Sequence, residues 1–236
     1  MTSPSKVVFL FDVDNTLIDN DGIMGDLKRH IEQQFGAQSR AHYFAIFEAL
    51  YAELGYADYL GALQRYRLED QCDPRLLLMM SSFLVDYPFA DRLYPGALDA
   101  LEHTRTWGKT VILSDGDVVF QPRKVERSGL WDAVEGRVLI YVHKEQMLAD
   151  VERHYPASHY IVIDDKLRIL TAMKEVWGNR LTTVFPHQGH YALDPRNTAS
   201  YPRPDITIEG IGDLVNYGLP ALLGTFKADH AQQEVP

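Results

Sequence analysis

Cysteine is almost absent from this chain of 236 residues: Cys72 stands alone, which excludes an internal disulfide framework and any cysteine-based zinc site. Positive charge is scarce as well. Lys and Arg number 23 against 33 Asp and Glu, a formal net charge of −10. That balance argues against broad nucleic-acid binding and against attraction to anionic membranes, though it leaves room for a local cationic pocket. Long hydrophobic runs are missing: the densest, Val7–Phe11, Leu76–Met80 and Val138–Val142, are far too short to span a bilayer. The opening residues, Met1 to Lys6, lack the apolar stretch of a secretory leader. The expectation is a cytoplasmic protein with neither nucleic acid nor membrane as partner, its oligomeric state left open.

What is present is ordinary globular composition, 46% apolar and 24% charged. Continuous apolar runs at Lys6–Phe11, Lys109–Leu113, Arg137–Val142, His159–Ile163, Leu181–Phe185 and Asp205–Ile208 suit strands covered on both faces. Helical patterns lie between them, Ala97–Trp107 with Gly108 as a left-handed cap and Lys166–Trp177 ending at Gly178. The alternation predicts an α/β fold, a Rossmann-like parallel sheet. One gap breaks the rhythm, because the stretch between the first two strands is too long for a crossover. Within it, Tyr43, Phe47, Leu50, Tyr51 and Leu54 follow helical spacing up to Gly55. A second helix follows Asp58, and Asp73-Pro74 opens a third. The predicted organisation is an α/β core at 1–19 and 94–225, an inserted helical-bundle cap at 20–93 and a polar tail at 226–236. Asn20-Asp-Gly22 and Tyr94-Pro-Gly96 supply turn residues at the two junctions.

The chemistry concentrates where apolar strands end. Val8-Phe-Leu-Phe-Asp12-Val-Asp14-Asn-Thr16 places two aspartates two residues apart after the first strand, so both carboxylates can reach one site. They fall at the carboxyl edge, where open α/β sheets bind ligands. Two like charges there need a cation or a proton to offset them, and hard oxygen ligands suit Mg²⁺. A calcium loop is excluded by Leu17, which stands where such a loop needs glycine. The second strand ends in Ser114-Asp115-Gly116, a hydroxyl and a glycine turn able to cradle an oxyanion. Lys144 follows the third strand and Asp164-Asp165 the fourth. Each feature alone has a plain reading as a helix cap or a solvated side chain; together they mark four successive strand ends.

On these motifs the chain resembles the haloacid dehalogenase-like hydrolase superfamily, in the subgroup whose helical cap is inserted between the first two core strands. Asp12-Val-Asp14-Asn-Thr16 is similar to its first motif, Ser114 to the second, Lys144 to the third and Asp164-Asp165 to the fourth. The resemblance implies Asp12 as nucleophile and Asp14 as general acid and base. It implies Mg²⁺ held by Asp12, the Asp14 carbonyl and Asp165 with help from Asp164. Ser114, the Asp115 and Gly116 amides and Lys144 would bind the phosphoryl group, with Thr16 steadying the loop. The function so implied is hydrolysis of a small phosphorylated metabolite through an aspartyl-phosphate. The alternatives are a phosphomutase or a catalytically weak binding relative, and dehalogenation is disfavoured because Asp14 is present. Ile169 stands where the family often has a further acid. Lys124 competes with Lys144 for the cationic role but reads as a solvated helix face. The cap aromatics fit either a stacking pocket or the cap's own core, and His187 and His190 read as surface-loop residues.

Overall fold

The computed structural model of the chain describes residues 5–68 and 73–224, so Cys72, the first four residues and the tail from 225 lie outside it. Six strands form one parallel sheet in the order β3-β2-β1-β4-β5-β6. They are β1 (Ser5–Phe11), β2 (Lys109–Asp115), β3 (Val138–Tyr141), β4 (Ala157–Ile163), β5 (Leu181–Pro186) and β6 (Ile206–Ile208). β1 is central, with Phe9 opposite Thr110 on one side and Ile161 on the other. Its side chains alternate between two cores. Val7, Phe9 and Phe11 join the cluster that continues into the cap, and Val8 and Leu10 pack with Leu170 and Met173 on the far face. The expectation of strands buried on both faces is met in β1, β2, β4 and β5, whereas the edge strands β3 and β6 are only partly buried.

Helices occupy the crossovers: α4 (Ala97–Arg105), α5 (Phe120–Arg127), α6 (Leu130–Ala133), α7 (Leu148–His154), α8 (Leu167–Trp177) and α9 (Gly189–Leu193), with three more between β1 and α4. Those three are α1 (Asn20–Leu54), α2 (Tyr59–Tyr66) and α3 (Pro74–Asp86). Asp58 and Asp73 cap α2 and α3 by accepting the N–H groups of Gly61 and Arg75. α1 ends at left-handed Gly55 and is interrupted at Gly36 (φ 84°, ψ 167°), where a glycine lets one helix stop and the next begin. Among the described residues no helix is long and apolar enough to cross a membrane.

Two local expectations are corrected. Asn20-Asp-Gly22 is no turn: Asp19 accepts the Gly22 N–H at 2.9 Å and starts α1 there. Gly108 is not a left-handed cap. α4 stops at Arg105, and Gly108 is required because a Cβ would lie 2.4 Å from the Val7 carbonyl oxygen. The two segments joining core to cap run side by side. Asp19 N–H donates to Arg92 O, and Tyr94 N–H donates to Leu17 O.

Candidate active site

The loop after β1 turns on Asn15, whose φ of 60° is in the left-handed region that asparagine tolerates. Gln188 clamps this loop, its side-chain N–H groups donating to the carbonyls of Asn15 and Thr16 at 3.0 and 2.8 Å. Asp12 is thereby fixed with both carboxylate oxygens engaged. Oδ1 accepts from Lys144 Nζ, and Oδ2 accepts from the Thr16 hydroxyl at 3.2 Å. Thr16 is itself held by the Asp165 N–H at 3.1 Å, so its hydroxyl is committed to tying β1 to the end of β4.

Lys144 is buried and bridges two strand tips. Its ammonium lies against Asp12, 2.7 Å from Asp164 Oδ2, and donates to Leu113 O at 3.2 Å. Burial opposes its charge, but the nearby Asp12, Asp164 and Asp115 outweigh that and hold the ammonium above its ordinary range. Its backbone N–H donates to Asp115 Oδ1 at 2.8 Å. Asp164 accepts the Lys166 N–H, and burial, partly offset by Lys144, lifts its carboxyl to about 6. Asp165 is pushed well above the carboxylate range by burial, with Asp12 and Asp164 adding to it against Lys166. Neither Asp165 oxygen has a hydrogen-bond partner among the described residues. Asp12, Asp164 and Asp165 each offer an oxygen within 4.8 Å of the others. An orphaned buried carboxylate beside two more hard oxygen donors fits a divalent cation of the Mg²⁺ kind.

The remaining expected residues are less alike in placement. Ser114 is buried, and its hydroxyl accepts from Gln121 Nε2 at 2.9 Å. Gly116 allows that contact, since a Cβ would fall 2.4 Å from Gln121 Cβ. The Gly116 N–H, expected to face an oxyanion, instead donates to Tyr141 O at 2.8 Å and is not free for a ligand. Asp14 turns away from Asp12's partners and accepts from Lys124 Nζ at 2.6 Å. The expectation of Lys124 on a solvated face is wrong, because its side chain is fully buried and also donates to Asn20 Oδ1 at 3.0 Å. Its position, one amphipathic turn into α5, was a visible signal; a lysine on the sheet side reads as solvated only until an acid partner is known.

A cavity of about 630 Å³ opens between core and cap, lined by Asp14, Asp115, Gln121 and Lys166 from the core and by α1 and α2 residues from the cap. Asp12, only 4% exposed, is recessed behind this wall. The cap aromatics divide: Tyr43, Phe44 and Tyr66 are buried cap core, Tyr51 and Tyr56 line the cavity, and Phe47 and Tyr59 belong to the core and line the cavity as well. His190, expected on a surface loop, also lines it and meets Asp21 Oδ1 at 2.6 Å.

A sequence model of the haloacid dehalogenase-like hydrolases matches residues 7–176. A haloacid dehalogenase-like hydrolase from Burkholderia xenovorans LB400 is 66% identical (TM-score 0.88), with 91% of this chain and all of that one covered. At 17% identity (TM-score 0.61), the magnesium-bound HAD hydrolase YfnB of Bacillus subtilis aligns with 91% of this chain and 98% of its own. The L-2-haloacid dehalogenase of Xanthobacter autotrophicus, with chloropropionic acid covalently bound, is 18% identical (TM-score 0.58) over 90% of this chain and 97% of its own. A search of curated proteins gave no match. These neighbours correct the expected function. The phosphomonoester hydrolase with a phosphomutase alternative, and dehalogenation disfavoured, gives way to haloacid dehalogenase-like hydrolase, because L-2-haloacid dehalogenases share this fold. The physical reason lies at Asp14. Its presence was the argument against dehalogenation, yet its carboxylate has a partner in Lys124 that accounts for it without a leaving-group proton.

Proposed function

Because the chain belongs to the haloacid dehalogenase-like hydrolase family, we propose that it hydrolyses a small organic substrate in two steps with Asp12 as the nucleophile. The supporting observation is the Asp12 carboxylate itself, held at the tip of the central strand by Lys144 on one oxygen and Thr16 on the other. That grip fixes its direction before substrate arrives, which lowers the entropy cost of attack. In the first step an Asp12 oxygen bonds to the electrophilic centre and the leaving group departs with its bonding pair. In the second, water cleaves the ester, one product fragment takes the hydroxyl, and Asp14 at the cavity wall receives the proton and passes it to solvent. Lys144 and Ser114 offset the negative charge of the reacting group. Asp12, Asp164 and Asp165 would hold Mg²⁺, which when bound supplies Lewis acidity and compensates the clustered carboxylates.

Turnover in ¹⁸O-water, followed by mass spectrometry of the Asp12 peptide and the product, tests this reading. Ester cleavage at the Asp12 carbonyl carbon puts label into Asp12, whereas cleavage at the substrate atom puts it into the product. Asp12→Asn is expected to lower turnover at least about 1000-fold. An Asp12→Asn variant that turns over at the wild-type rate would overturn the assignment.

A further inference from the structure

Lys166 follows the acid pair, and its side chain is used by nothing described above. It lines the cap–core cavity with its ammonium 5.1 Å from the centroid of the Tyr191 ring. Among the described residues no carboxylate comes within ion-pair distance of it and no acceptor takes a hydrogen bond from it. Other charged groups of the cavity are differently placed. Asp14 is held by Lys124, Asp21 by His190 and Asn15, and Asp115 by the Lys144 N–H. Arg168 is paired with Glu145 at 2.7 Å, and Lys28 lies over the Phe44 ring on exposed α1. Lys166 is thus a cavity cation that rests on the Tyr191 ring without a hydrogen bond among the described residues, and the nearby Asp165, Asp12 and Asp164 keep it charged against burial.

The walls around it are flat and aromatic. Tyr191 meets Tyr51 of the cap through their hydroxyls at 2.8 Å, and Tyr56, Tyr59 and Tyr201 complete that side. A cavity of about 630 Å³ is of the size that encloses a small organic ligand. Aromatic faces favour a planar body, and an ammonium beside them, here over the Tyr191 ring, favours an oxyanion on that body.

Building on the Asp12 reading, we propose that this cavity takes a flat organic acid, whose oxyanion, separate from the bond that breaks at Asp12, is recognised by Lys166. Lys166 then sets specificity rather than chemistry. The ammonium is what discriminates, since a neutral ligand gains nothing from it, and its attraction for an oxyanion must exceed the repulsion of the nearby Asp165, Asp12 and Asp164.

Calorimetric titration with benzoate and with the isosteric neutral benzamide tests this on wild type, Lys166→Met, Lys166→Arg and Asp12→Asn. Benzoate is expected to bind wild type at least about tenfold more tightly than benzamide, and to lose about tenfold or more in Lys166→Met. Lys166→Arg restores most of that loss, Asp12→Asn binds benzoate at least as well as wild type, and benzamide is indifferent to all three changes. Benzoate affinity unchanged in folded Lys166→Met, equal affinity for benzamide, or no benzoate binding to wild type would overturn the proposal. If Lys166 served only to offset the neighbouring acids, its loss would move the melting temperature and leave the benzoate preference intact, which also overturns it. The two readings fail separately. Normal turnover by Asp12→Asn with Lys166-dependent benzoate binding removes the nucleophile alone, whereas a dead Asp12→Asn enzyme with Lys166-independent binding removes the recognition role alone.

Discussion

Lys124 donates to Asp14 at 2.6 Å across 110 positions of sequence, from a side chain with no exposure at all. The same ammonium reaches Asn20, the first residue of α1, and lies 5.0 Å from the Phe120 ring centroid. One buried charge therefore ties together α5, the loop after β1 and the start of the cap. That makes it a positioning residue for Asp14 and for the cap hinge at once.

Replacing Lys124 by Met keeps the apolar stem and strands the Asp14 carboxylate. Removing one partner of a fully buried pair costs roughly 3–5 kcal/mol. Asp14 is 22% exposed, so water recovers part of this and about 2–3 kcal/mol is expected. Lys124→Met/Asp14→Asn should regain part of the loss, because no carboxylate is then left unpaired. Urea denaturation of the three proteins checks it; a single variant as stable as wild type would show the pair to be structurally idle.

Asp165 offers a cleaner test of the cation site. Its two buried oxygens have no hydrogen-bond partner among the described residues, so Asp165→Asn is nearly isosteric and removes a carboxyl whose ionisation burial and the neighbouring acids oppose. Without divalent ions the variant should melt higher than wild type by roughly 2–8 °C, the equivalent of about 1–2 kcal/mol. Saturating Mg²⁺ should raise the wild-type midpoint, since ligand at a hundred times its dissociation constant adds about 2.7 kcal/mol. The variant should gain little. A wild-type melting temperature indifferent to Mg²⁺ would remove the metal assignment.

Much of this architecture is legible in the sequence because its signals are local. Apolar runs ending in Asp12, Ser114, Lys144 and Asp164 mark the strand tips, and Asp58 and Asp73 announce α2 and α3 through their caps. What stays hidden depends on partners far along the chain. Lys124 reads as solvated because Asp14 is 110 residues away, and the Gly116 N–H reads as free because its acceptor, Tyr141 O, belongs to the neighbouring strand. The first half of α1 escapes because Gly22 looks like a turn residue until Asp19 is seen accepting its N–H. The leaving group is hidden for another reason: the opening step, attack by a strand-tip carboxylate, is common to different chemistries on one fold.

Gly96 shows how tightly the exit from the cap is built. Its φ is 77°, and a Cβ there would lie 2.6 Å from Gly212 Cα, which is backbone and cannot swing aside. Gly96→Ala therefore combines a left-handed alanine with a forced separation of α4 from the Gly212 segment. The expected cost is about 2–4 kcal/mol. Thermal unfolding reads it, and a loss below about 1 kcal/mol would mean that the Gly212 segment yields freely.

His159 near the start of β4 gives a pH dependence whose sign is fixed by burial. It is 7% exposed, with Nε2 2.9 Å from Thr182 Oγ1. Desolvation, reinforced by the charges of Lys174 and Arg180 against Asp205, lowers its pKa from 6.5 to about 4. The unfolded chain thus takes up a proton at higher pH than the folded one does. The stability linked to neutral His159 is complete above pH 6.5 and is lost as the pH falls toward 4, at most about 3 kcal/mol in total. His159→Gln can keep a hydrogen bond to Thr182 and has nothing to titrate. Denaturant midpoints for both proteins from pH 7.5 down to 4.5 isolate the effect, because titrating carboxylates are common to the two and cancel in the difference. Wild type should lose stability relative to the variant by somewhat more than 1 kcal/mol per pH unit across the middle of that window. A difference that stays flat with pH would show that His159 is protonated as readily in the folded protein as in the unfolded chain.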